Sequence, residues 1–241
     1  MKFTLGLGLV IVLGLGLSSC FDPPEYSNTP EIEFENIAFK ETPSSQDADS
    51  IILFIKFRDG DGDLGIAPNE TACLDEEQTI CFNEKFYFQL TSTGEQVTYK
   101  DKRENPDLNL PDYVPPFDCI NWEIIKDDSS PPQPIDTVYF ELNPNHNNIF
   151  IDFLVKQNDG SFQEFDWRTE LCSTFDARFP IVAKNSDVSI GNSVEGTLRY
   201  AMKSTGFKLL FSIKTLKLRI QIQDRALNKS NIIETPEFQL K

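Results

Sequence analysis

The chain has 241 residues, with 38 acidic against 22 basic side chains, a single histidine and a formal net charge of −16. A surplus of negative charge on this scale repels nucleic-acid phosphates and anionic lipid surfaces, so a nucleic-acid-binding role is excluded. Twenty phenylalanines supply apolar bulk for a real core, and glycine and proline punctuate the whole chain, as they do in all-β proteins.

The first segment reads Met1-Lys2-Phe3 and then TLGLGLVIVLGLGLSSC. One lysine before an apolar run of about 15 residues is short for a bilayer span and right for a secretory signal. The run closes on Leu17-Ser18-Ser19-Cys20, the pattern of a bacterial lipobox, in which small residues let the peptidase reach the Ser19–Cys20 bond. Residues 1–19 are thus expected to be a lipoprotein signal peptide. Cys20 is expected to carry covalent lipid, a diacylglycerol on the thiol and a third acyl chain on the freed amine. Several chains, at about 0.8 kcal/mol per buried methylene, anchor stably. Residues 20–30 then form a Pro-rich lipidated tether, and residues 31–241 are expected to be one domain.

Strand signals follow. Ile32, Phe34, Ile37 and Phe39 start the first region, and SIILFIKFR (50–58) reads as a central strand. It ends in FRDGDGDLG, to which we return below. KFYFQLTS (85–92) and QVTYK (96–100) flank Thr93-Gly94-Glu95 as a hairpin. The stretch around 101–135 is rich in proline and acid and reads as a long insertion. Strands resume at TVYFEL (137–142) and NIFIDFLVK (148–156), and the turn Asn158-Asp159-Gly160 leads into another strand from Ser161 to Trp167. Short helical turns fit near 165–173 and 206–211. EGTLRYAMK (195–203) is a strand, LKLRIQIQ (216–223) alternates perfectly as a half-buried one, and Ile233–Leu240 returns after the turn DRALNKSN. The whole reads as an all-β, antiparallel sandwich.

Besides Cys20 there are Cys73, Cys81, Cys119 and Cys172. An even number in an oxidising compartment indicates two disulfides, with three pairings open. Cys73–Cys81 with Cys119–Cys172 is the favoured one. Without a CxxC, and with one histidine, the set does not suit zinc.

In DGDGDLG, Asp59, Asp61 and Asp63 place three carboxylates on alternate residues, with glycines that let the backbone curl. Calcium takes six to eight oxygens, largely of this kind. Aligned to an EF-hand, these aspartates take positions 1, 3 and 5 and Glu70 position 12, but Leu64 stands where position 6 requires glycine. Two readings stay open: a calcium loop on the rim of a sandwich, or a strand-ending turn whose aspartates cap local amides.

A strand ending in DGDGDLG, followed far downstream by IQIQDRALNKSN…TPEFQL, resembles lipoproteins of the Bacteroidota. These are outer-membrane or cell-surface proteins with an immunoglobulin-like sandwich and mostly unknown function. The terminal hairpin also resembles bacterial immunoglobulin-like repeats, in which an Asp begins the last turn and an Asn follows, here Asp224 and Asn228. The resemblance implies an immunoglobulin-like β-sandwich with long Pro-rich loops. It also brings Asp224 and Asn228 to the same end as Asp59, Asp61 and Asp63, where they would share calcium.

No catalytic residue is assigned. His146 sits in a polar turn, GxSxG and HExxH are absent from the sequence, and Glu164 and Asp166 read as a solvated strand face. Trp122, Trp167, Tyr87, Tyr99 and Tyr113 are candidate sugar platforms. The expectation is a non-enzymatic lipoprotein held in the outer membrane, at the cell surface rather than the periplasmic face. It would act as an accessory subunit of a β-barrel, secretion or assembly complex. A glycan-binding protein feeding an importer is the alternative.

Overall fold

The most buried strand is the one whose sequence is apolar on both faces. In the computed structural model, which describes residues 25–43, 47–73, 80–113, 120–182 and 193–241, β2 (Asp49–Asp59) lies between β1 (Glu31–Lys40) and β8 (Val194–Ser204) in an antiparallel sheet. Ile51, Leu53 and Ile55 have no exposed surface. A central strand covered on both sides uses β-branched and aromatic residues in this way.

A second antiparallel sheet has the order β10 (Ile233–Glu234), β9 (Leu216–Ile222), β6 (Ile149–Lys156) and β7 (Phe162–Phe165). In β9 the alternation of the sequence becomes the alternation of the fold. Leu216, Leu218, Ile220 and Ile222 are buried, and Lys217, Arg219 and Gln221 are half-buried. The inner residues of both sheets form one apolar core with the rings of Phe153, Trp167, Phe175, Phe207 and Phe211. Full burial of each such side chain is worth about 1.5–3 kcal/mol.

The two expected helical turns are α2 (Trp167–Leu171) and α3 (Phe207–Phe211). Asp166 starts α2, its Oδ1 accepting from the amides of Arg168 and Thr169, both at 3.0 Å. Phe207 and Phe211, one turn apart, turn into the core while Leu209 stays exposed.

The third sheet departs from the reading of the sequence. β5 (Pro134–Leu142) pairs with β3 (Lys85–Tyr87) on one side and β4 (Trp122–Lys126) on the other. So the Pro-rich stretch contributes an edge strand, β4, as well as loops. Its small core holds Val97, Trp122 and Tyr139, with Tyr99 and Tyr113 packed against it. Tyr99, read as the end of a hairpin strand, opens α1 (Tyr99–Glu104) instead. The cause is local: Thr98 and Asp101 form a reciprocal capping box. Among the described residues the fold is therefore largely β with several antiparallel sheets, none of them closed into a true sandwich or barrel. Among the described residues no helix is long and apolar enough to cross a membrane.

Cys73 and Cys81 are disulfide-bonded, as expected. Cys172 is disulfide-bonded too; its expected partner Cys119 lies outside the described residues, as do Cys20 and the signal segment.

Candidate functional site

At the end of β2 the chain must leave the sheet while its side chains still alternate. Asp59 is the last paired residue, opposite Val194 of β8, and is fully buried. Gly62, at φ 66°, lets the chain turn where a side chain would be strained. Leu64 then drops into the main core and Ile66 is buried beyond it. This is the physical objection to an EF-hand: Leu64 belongs to the core and does not mark the corner of a loop. Gly65, at φ 103°, passes so close to Pro180 and Ile181 that a Cβ would strike their backbone. Backbone hydrogen bonds from Ile66 N to Phe179 O and from Val182 N to Leu64 O fix the passage.

The turn gathers Asp59, Asp61 and Asp63 so that one oxygen of each lies within 4.8 Å of the others. Two oxygens bonded to one calcium at about 2.4 Å lie no farther apart than about 4.8 Å. The three carboxylates thus meet the distance condition for a shared cation. The two readings of the sequence also divide between the atoms. Asp59 Oδ2 accepts from Asp63 N at 3.2 Å, and Asp63 Oδ2 accepts from Ala226 N at 3.1 Å. These oxygens cap the turn. Oδ1 of Asp59, of Asp61 and of Asp63 is buried without a hydrogen-bond partner. A buried carboxylate oxygen left unpaired is costly, and each of the three aspartates leaves one.

The loop after β9 lies beside this turn, although the cluster of oxygens within 4.8 Å comprises Asp59, Asp61 and Asp63 without Asp224. Asp224 follows β9, is fully buried, and its charge acts on Asp59 and Asp63. Asn228 donates to both of its oxygens, from N to Oδ1 at 2.7 Å and from Nδ2 to Oδ2 at 2.8 Å. Asn228 therefore orients Asp224 through its amide groups. Leu227 between them takes the left-handed conformation at φ 68°.

Electrostatics follow from this crowding. Burial first, then the charges of Asp61, Asp63 and Asp224, pushes Asp59 up to about 7 against the opposing hydrogen bond from Gly62. Burial, Asp224 and Asp61 push Asp63 up to about 6. Burial raises Asp224 as well, with Asn228 opposing. A cation among these groups would reverse each of these penalties.

Glu70, the twelfth position of the rejected EF-hand, is turned elsewhere. Its oxygens bind Arg225 at 2.5 and 2.9 Å and Ala67 N at 3.2 Å. The Arg225 bond holds its carboxyl below the usual range.

Two features had no clear sign in the sequence. Arg178 reaches the carbonyls of His146, Ala67, Glu70 and Phe82, which ties three loops together beside the disulfide. His146, with Nδ1 3.1 Å from Phe82 O and 2.6 Å from Arg178 Nη2, belongs to this knot. The only hint was the arginine set among aromatic residues in FDARFP. The second feature is the docking of the segment before β1. Ser27 O accepts from Gly60 N at 2.8 Å, and Tyr26 donates to Glu195 Oε2 at 2.6 Å.

The remaining candidates have other duties. Trp122 and Trp167 are 2% and 6% exposed, so both are core residues and neither offers a sugar platform. Tyr99 and Tyr113 pack edge-on in the small core. Tyr87 is exposed, between Phe86 and Phe88, which are exposed too. Asp166 caps α2, and Glu164 lies 3.8 Å from Arg219. Compared with known families, characterised proteins and solved structures, the chain matches none.

Proposed function

We propose that the protein is an exported lipoprotein, anchored through lipid on Cys20 in the outer membrane and facing the cell surface. Its β framework is a calcium-stiffened, non-enzymatic scaffold that serves as a binding subunit of an outer-membrane β-barrel or assembly complex. The observation that carries the calcium part is the fully buried Asp59, whose Oδ1 has no partner, in a cluster with Asp61 and Asp63, each of which also leaves one buried oxygen unpaired. Asp59, Asp61, Asp63 and Asp224 are the carboxylate ligands, and Asn228 orients the last. Hard oxygen donors held on a flexible loop suit calcium better than magnesium, which demands tighter geometry.

The immunoglobulin-like reading of the two large sheets belongs to the same proposal. Its support is their shared core and the meeting of the loops after β2 and β9 at one end. The binding role is supported by the third sheet, where Phe86, Phe88, Ile124 and Ile135 are 41–62% exposed. Exposed apolar groups carried by one small sheet and its flank are a common mark of an interaction surface. The exposed Tyr87 with its neighbours keeps a glycan ligand as the second reading.

Calorimetric titration of chelator-treated protein tests the cation. We expect one site for calcium and its loss in Asp61→Ala; absence of heat in the parent protein would rule the site out. Pull-down from detergent-solubilised membranes tests the role. A stoichiometric β-barrel partner supports it, and a bare monomer argues against it.

A further inference from the structure

Gly60 lies between two of the proposed ligands, Asp59 and Asp61, and is where the tether rests. Its amide donates to Ser27 O at 2.8 Å, and its carbonyl accepts from Ser193 Oγ at 3.2 Å. A Cβ at this position would collide with Tyr26 O, with the Ser27 carbonyl carbon and with Asn28 Oδ1. Only glycine lets the segment lie this close. The hydroxyl of Tyr26 binds Glu195, which pairs with Arg58, one step from the Asp59–Val194 pair. Farther along, Asn231 bonds Ile32 through both backbone groups, Oδ1 from Ile32 N at 2.8 Å and Nδ2 to Ile32 O at 2.9 Å. The incoming chain is thus laid against both loops that supply carboxylates.

The peptide plane of Gly60 is covalently tied to the two aspartates on either side of it. Carboxylates that repel one another drive Asp59 and Asp61 apart, and a cation that both ligate draws them together. Each movement turns the Gly60 amide that Ser27 requires. Two sites joined through one peptide unit must be coupled, and the coupling acts equally in both directions.

We infer that calcium bound by Asp59, Asp61, Asp63 and Asp224 locks Tyr26–Asn28 onto Gly60, making the acidic end of the domain a cation-operated clasp for the lipid-bearing segment. This rests on the calcium reading above and adds what that site regulates. Its consequence is orientation. From Cys20 to Ser27 the chain has seven steps, which at roughly 3.3–3.6 Å each reach no more than about 25 Å. A closed clasp therefore holds the acidic end within that distance of the bilayer and directs α3 and the far end of the sheets outward. An open clasp frees the chain as far as β1 and lets the domain tilt.

Hydrogen exchange of the full lipidated protein in nanodiscs, in calcium and in chelator, reads the clasp directly. Expected is a slowing of about tenfold at the Gly60 amide and at residues 26–29 in calcium, a modest coupling for two linked sites. By reciprocity, Gly60→Ala weakens calcium binding by about the same factor. Should that variant misfold, Tyr26→Phe, which removes only the Glu195 bond, must still speed exchange at 26–29 and weaken calcium. Calcium heat in calorimetry with unchanged exchange at 26–29 overturns the clasp and leaves the calcium site standing. Absence of calcium heat overturns the site itself, and the clasp with it.

Discussion

Glu70 and Asp63 sit seven residues apart in one loop and reach adjacent residues of another, Arg225 and Ala226. Glu70 meets a guanidinium and its carboxyl is held down. Asp63 meets a backbone amide and three other carboxylates, and is pushed up to about 6. Both are partly buried acids at the same end of the same sheets. The difference is the presence of a cationic partner within the chain. Glu70 is an acid the fold has already paired, whereas Asp59, Asp61, Asp63 and Asp224 are pooled with amides as their hydrogen-bond partners, and the Arg225 guanidinium acts on Asp63 only through its charge. Acid count alone did not separate these two situations in the sequence; the pairing of each oxygen does.

Calcium should act on one member of this contrast and leave the other alone, and it gives the largest expected effect. At a hundred times its dissociation constant it stabilises by about 2.7 kcal/mol, read as a rise in melting temperature. The gain should be present at pH 7.5 and shrink towards pH 5. In chelator the profile should run the other way. Asp59 and Asp63 titrate higher when folded than when unfolded, so the folded state holds the extra protons between about pH 4 and pH 7. Stability without calcium is therefore full at the acidic side of that window and is lost as pH rises through about 6 to 7. A chelated protein that gains stability from pH 5 to pH 7.5 would contradict the repulsion argument.

Arg225→Ala attacks the paired acid instead. It leaves Glu70 partly buried without its partner and should cost about 2 kcal/mol in denaturant unfolding, the price of an unsatisfied charged group. The loss should be the same with and without calcium if the two systems are separate. A loss confined to calcium-free protein would show that Arg225 also offsets the aspartates.

Arg58→Ala is the smallest. Arg58 lies 2.7 Å from Glu33 on the open face of the first sheet, but both side chains are well exposed. We expect less than about 0.5 kcal/mol. A larger loss would mean that β1 depends on this pair rather than on its buried residues.

Much of the fold was legible where one strand carries its own instruction. β2, β8 and β9 fall within a residue or two of the sequence reading, because alternation and apolar runs are local signals. In the third sheet β3 and β5 fall in runs read as strands, but β4 was not legible. Trp122–Lys126 lies in a proline-rich stretch, and its pairing with β5 is a long-range choice that no local window contains. The turn aspartates were legible as a cluster. The role of Gly60 was not, because it depends on a backbone contact with Ser27 from a segment that reads as bare linker. The tryptophans failed as platforms for a related reason: sequence shows a ring but not which side of it is covered.

The antiparallel pairing of β1 with β2 also has a mechanical meaning. β1 begins at the end where the tether docks, with Glu31 beside Arg58, and runs the full length of its neighbour to Lys40 beside Ser50. If a load enters at the N-terminal segment and is resisted by something held at the opposite end, it runs along the strand axis. It then shears the rungs of this ladder together rather than unzipping them one by one. A domain loaded this way resists tension with the whole β1–β2 ladder, and its lifetime under pull is set by the rate at which that ladder fails as a unit.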